Sequence, residues 1–150
     1  MCLLKSKMFP KISRKPITCY KVVLKTNDGY FRTGVRHQSI RTGDEIKASE
    51  KYPIIKGIFK KYLEGEVVHA FLDKNKAIAH VYEYAKLFKK PYTIIESTIP
   101  SYTPYWVSDN LFYFCNLNNN FLAYNTKEIG ATKMIVGKEI NFEKFNKEVC

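Results

Sequence analysis

The stretch EGEVVHAFLDKNKAIAHVYEYAKLFKKPY, residues 64–92, constrains this chain more than any other. It reads as a strand, a turn, a helix and a stop. Val67, His69 and Phe71 alternate with Val68, Ala70 and Leu72, the two-residue period of a strand. Asp73 then offers a side-chain acceptor to the orphan amides of a helix start. Ala77, Ile78, Val81, Ala85 and Phe88 draw one apolar stripe, while His80 falls off it on the side expected to face water. Lys86, Lys89 and Lys90 suit the negative end of the helix dipole, and Pro91 prevents continuation.

The flanking segments favour strands. ITCYKVVLKT is rich in β-branched and aromatic residues, and the NDG turn at Asn27–Gly29 lets YFRTG return as a hairpin partner. RHQSIRTGDEIKA reads as a polar loop with a short strand near Glu45–Ala48. In YTIIESTIP, Thr93, Ile95, Ser97 and Ile99 alternate with Tyr92, Ile94, Glu96 and Thr98. Both faces are apolar near its start, which suits a central strand. The prolines of SYTPYWVSDN point to an edge or a turn. LFYFCNL, FLAYNTKEI and TKMIVGKEI are further strand candidates, with NNN a turn between the first two. YPIIKGIFKKYLEG has the spacing of a second main helix, although Gly57 weakens it by about 1 kcal/mol relative to Ala. NFEKFNKEV is a candidate terminal helix. The expected fold is α+β: a mainly antiparallel sheet of five to seven strands packed with two main helices. Residues 1–16 read as a basic N-terminal arm and residues 17–150 as a single domain.

Charge is the strongest functional signal. The formal net charge is +11, and residues 1–43 hold ten Lys or Arg against one acid, Asp28. Such an excess suits an anionic partner, either nucleic acid or an acidic protein surface. The candidate binding residues are Lys11, Arg14 and Lys15 in the arm, with Arg32, Arg36 and Arg41 in YFRTGVRHQSIR. There, arginines would grip phosphates while Tyr30 or Phe31 stacks on bases. The tyrosine-rich SYTPYWV is a lesser candidate for an interface or sugar platform, against a packed edge strand.

Catalytic signals are sparse. The four cysteines, Cys2, Cys19, Cys115 and Cys150, never approach the spacing of a zinc site, so no metal set and no disulfide framework is expected. No nucleophile elbow, phosphate-cradling glycine loop or HExxH pattern occurs, so no cofactor is expected. His69 reads as a half-buried strand residue, and His37 lies in the basic loop. With 45% hydrophobic residues the chain should fold, and no apolar run approaches the ~20 residues of a bilayer span. A soluble protein of the bacterial cytoplasm, binding without catalysis, is the expectation.

Two resemblances attach to the pattern ITCYKVV, EGEVVHAFLDKNKAIA, YTIIESTIPSYTPYWV and FLAYNTKEI. The chain resembles short proteins of gut anaerobic bacteria and their phages, which share a basic start like MFPKISRKPITCYKVV and the HAF strand before a helix. That likeness implies no particular activity; the expectation is an accessory binding protein of phage or mobile-element type, with a minor virion component as a further class. More remotely, the element order is similar to ADP-ribosyltransferase-like folds. On that likeness Lys21 stands at the first-strand position, His69-Ala70-Phe71 at the strand before the helix, and Glu128 at the late glutamate. It implies a divergent or inactive transferase.

Overall fold

The computed structural model describes residues 3–4, 10–33, 38–48, 54–56, 62–64, 67–115 and 121–141. Its elements are β1 (Leu3–Leu4), β2 (Lys11–Ile12), β3 (Ile17–Lys25), β4 (Phe31–Thr33), β5 (Ser39–Ile40), β6 (Glu45–Lys47), β7 (Ile54–Lys56), β8 (Tyr62–Glu64) and β9 (Val68–Phe71). There follow α1 (Lys74–Phe88), β10 (Tyr92–Ile99), β11 (Pro104–Cys115), β12 (Phe121–Ala131) and β13 (Lys133–Glu139). A ten-stranded sheet runs β2-β11-β12-β9-β3-β10-β13-β6, with β4 also paired to β3 and β5 to β4. β1, β8 and β7 form a separate sheet of three.

Two parts of the expected architecture are corrected. The main sheet has ten strands, not five to seven, and α1 is the one helix among the described residues, not one of two. YPIIKGIFKKYLEG supplies β7 and β8, paired Ile54↔Glu64, Ile55↔Leu63 and Lys56↔Tyr62. Its apolar spacing suited a helix, but β-branched isoleucines and Gly57 disfavour one, and short apolar runs fit either state. The extra strands in the main sheet are mostly two or three residues long, too short to show a period. The candidate terminal helix lies outside the described residues from 142 onward.

The sheet cannot be flat. In sheet order β9, β3 and β10 separate β12 from β13. Four strand spacings would put β12 and β13 about 19 Å apart in a flat sheet. Yet Thr132 alone joins them, and two Cα–Cα steps span at most about 7.6 Å. The sheet must roll until the two strands meet. Thr132 N–H donates to the Pro104 carbonyl (3.1 Å) and its carbonyl accepts from Ala48 N–H (2.7 Å), which ties β11 and the end of β6 to this link.

The rolled sheet encloses one apolar cluster drawn from nearly every strand, including Cys19, Val23, Ile95, Ile99, Ile129 and Met134. Each aliphatic side chain fully buried there contributes about 1.5–3 kcal/mol. On the opposite face, Tyr20, Val22, Phe71 and Ile94 pack against Ala77, Ile78 and Val81 of α1. β9 and β10 both pair antiparallel with β3, so they run parallel to each other, and a crossover such as α1 is needed to join them. Asp73 caps the helix, accepting from Lys76 N–H at 3.1 Å, and Lys89 closes it in the left-handed conformation. Phe88, expected in the apolar stripe, is 54% exposed, with its ring edge-on to Tyr84 and Tyr92.

Two details strain this frame. Between Ile95↔Glu139 and Ser97↔Val136 the register slips, leaving Gly137 in a bulge. A Cβ built at Gly137 would overlap the Glu96 carbonyl oxygen. Gly137→Ala is expected to destabilise the fold by about 1–3 kcal/mol in urea titration, since backbone has to move.

The other detail is Lys21. The edge of β3 pairs with β9 at Tyr20↔Phe71 and with β4 over Val23–Lys25. Where the two partners part, Lys21 Nζ donates to the His69 carbonyl at 2.9 Å. Burial pushes this ammonium down to about 8, and the neighbouring Cys19 thiol is itself pushed up to about 12, also by burial. Between pH 8 and 10.5 the unfolded chain therefore holds a Lys21 proton that the folded chain has lost, so the Lys21 contribution to stability rises with pH across that window, opposed above pH 9 by Cys19, which keeps its proton in the folded chain. Relative to Lys21→Met, the wild type should gain up to about 3 kcal/mol between pH 8 and 10.5, read from denaturation midpoints at each pH.

Candidate nucleic-acid interface

Six cationic positions are expected from the sequence to bind, and the structure divides them. Arg36 lies outside the described residues, as does His37. Arg32 and Arg41 belong to the β4–β5 ribbon, paired Phe31↔Ile40 and Arg32↔Ser39. Phe31 and Ile40 turn inward, so Arg32 and Arg41 are exposed, but both have acidic company. Arg41 Nε lies 3.6 Å from Asp44 Oδ1, and Arg32 helps to hold the Asp28 carboxyl below its usual range, after the hydrogen bonds from Thr26 and Tyr30. Of the two aromatics offered for stacking there, Phe31 is buried in the interior cluster and only Tyr30 is exposed.

Lys11, Arg14 and Lys15 are exposed on the segment from β2 to the following bend, and no carboxylate pairs with them among the described residues. β2 pairs with β11 through Pro104↔Ile12 and Tyr105↔Lys11. Ser13 then turns inward and is only 2% exposed. Its N–H donates to the Thr103 carbonyl (3.1 Å), and its carbonyl accepts from Tyr102 N–H (2.6 Å). Its hydroxyl donates to the Pro100 carbonyl (2.6 Å) and accepts from Thr103 N–H (2.9 Å). One buried serine thus locks the basic segment to the Pro100–Thr103 turn, with cations outward on both sides of it.

The turn contributes a residue of the tyrosine-rich SYTPYWV segment, which the sequence offers as a lesser interface candidate. Tyr102 is 80% exposed, and its backbone has φ +59. The left-handed conformation costs a non-glycine residue about 1–2 kcal/mol. Ile12, 52% exposed, lies on the same segment as the cations. Nothing local in SYTP predicts the positive φ; the turn is held in that shape by Ser13, 89 positions earlier.

The histidines and Glu128 lie elsewhere. His69 is half-buried, and burial, then the charge of Lys21, pushes it down to about 3. His80, expected to be solvated, is 4% exposed, with its ring 5.0 Å from Phe71 and 4.1 Å from Tyr84. The sheet under α1 presents Phe71 beyond the predicted stripe, which widens the buried arc of the helix. Glu128 is buried opposite Ser108 and Phe71 on this helix-facing side. Burial, then Tyr92 and Glu128, raise the Tyr84 phenol above its ordinary value. Lys21 shares the parity of Cys19 and Val23, so it faces the interior cluster, opposite to Glu128. The positions carried over from the transferase likeness therefore stand on two faces of the sheet.

No group of three or more His, Cys, Asp or Glu able to hold a metal occurs among the described residues, and no described helix is long and apolar enough to cross a membrane. Comparisons with protein-family models, curated proteins and solved structures find no match to this chain.

Ser13→Ala should cost about 1–3 kcal/mol, because the buried Thr103 N–H loses its acceptor. Urea unfolding followed by circular dichroism measures it.

Proposed function

We propose that this protein is an accessory binding protein that holds nucleic acid through Lys11, Arg14 and Lys15. The observation that carries the reading is the contrast among the exposed cations. Arg41 is ion-paired with Asp44, and Arg32 adds the smallest of the contributions that lower the Asp28 carboxyl, whereas the three on the Ser13 segment have no ion pair among the described residues. A backbone already fixed by hydrogen bonds gives up little further backbone entropy when phosphates arrive, and cations with no ion pair to break are available to them, which favours binding. The net charge of +11 adds long-range attraction for a polyanion.

Three phosphate contacts imply a slope of log K against log salt near −2 for a single strand and near −3 for a duplex. Fluorescence anisotropy with labelled oligonucleotides should then show roughly a 20-fold loss of single-strand affinity between 50 and 200 mM salt. The combined variant Lys11→Glu, Arg14→Glu, Lys15→Glu should abolish most of that binding, and Arg41→Glu should alter it little. Binding indifferent to salt, or unchanged in the combined variant, overturns the proposal. Stronger retention on polyglutamate than on nucleic acid would overturn it in favour of an acidic protein partner.

A further inference from the structure

Resting on the nucleic-acid reading, we infer that the ligand is single-stranded, with one unpaired base stacking on Tyr102. Three observations meet at this residue. Its ring is the most exposed of the large hydrophobic side chains described. Its backbone is left-handed, a conformation glycine would adopt freely and tyrosine adopts only when the surroundings impose it. The imposing group is Ser13, which takes the Tyr102 N–H on its carbonyl and binds the residues on either side of Tyr102's peptide neighbourhood, Pro100 and Thr103.

This places the backbone of an exposed tyrosine one hydrogen bond away from the backbone that leads into Arg14 and Lys15. The fixed backbone matters because a stacking side chain loses less freedom on binding when the peptide that carries it is already held. Duplex bases keep their faces covered by their neighbours, whereas unpaired bases present theirs to aromatic side chains. A cation pair and an exposed ring carried on backbone segments joined by hydrogen bonds thus fit a phosphate backbone whose bases are free to turn outward. Ile12, exposed on the same segment, extends the apolar surface available to such a base.

The experiment compares a labelled 12-nucleotide single strand, as DNA and as RNA, with a duplex of the same length, each over the same series of salt concentrations. The wild type should prefer the single strand. Tyr102→Ala should weaken single-strand binding roughly 5- to 100-fold while leaving duplex affinity and the salt slope unchanged. Tyr102→Phe should retain binding, since the ring face is kept. Tyr102→Gly removes the ring and also relieves the backbone, so it should match the alanine variant in binding and exceed the wild type in thermal stability. Single-strand affinity unaffected by Tyr102→Ala, or equal losses on single strand and duplex, overturns the inference while leaving the nucleic-acid reading intact. Absence of wild-type binding to all three probes overturns both.

Discussion

A single-residue connection governs the whole structure. Thr132 joins two strands that the sheet order holds four spacings apart, and only a rolled sheet can satisfy both conditions. Rolling gives β3 and β10 two buried faces, one toward the interior cluster and one toward α1. It also explains why the short strands exist. β4, β5 and β6 carry only Phe31, Ile40 and Ile46 into the interior cluster, yet they complete the wall around it.

The basic segment depends on the same closure. Pro104 opens β11, holds Ile12 in register and accepts the hydrogen bond of Thr132, so the link and the segment share one anchor. Proline suits that position because the first residue of a strand needs no ladder donor. Ser13 then converts a stretch that could stay solvated into one held in place. Its four hydrogen bonds concern the backbone almost entirely, which leaves the neighbouring cations free to face outward.

The elements with long periods were legible. Helix α1 has its cap at Asp73 and its stop before Pro91, and the alternation of Thr93, Ile95, Ser97 and Ile99 marks the interior face of β10. The turn at Asn27–Gly29 also stands, with Gly29 at φ +79. Ile54–Glu64 failed because a short apolar run matches a helix or a strand equally well, and its two ends pair with each other while β1 adds a distant partner to β8. His80 failed for a related reason: helical periodicity measures a residue against its own helix, and the aromatic Phe71 that buries it comes from β9. At the candidate interface the cations were legible by composition, but their division into paired and unpaired groups was not.

By itself the amino-acid sequence determined the local properties: where a helix caps and stops, which strands are buried on both faces, and that the N-terminal third carries the positive charge. Those follow from side-chain chemistry and spacing within about a dozen residues. Tertiary structure alone decided that the sheet rolls, that Lys21 and Glu128 face opposite ways, and that the Tyr102 backbone is held by Ser13. Each depends on hydrogen bonds between residues tens of positions apart, and no local pattern records which distant carbonyl a given amide will meet.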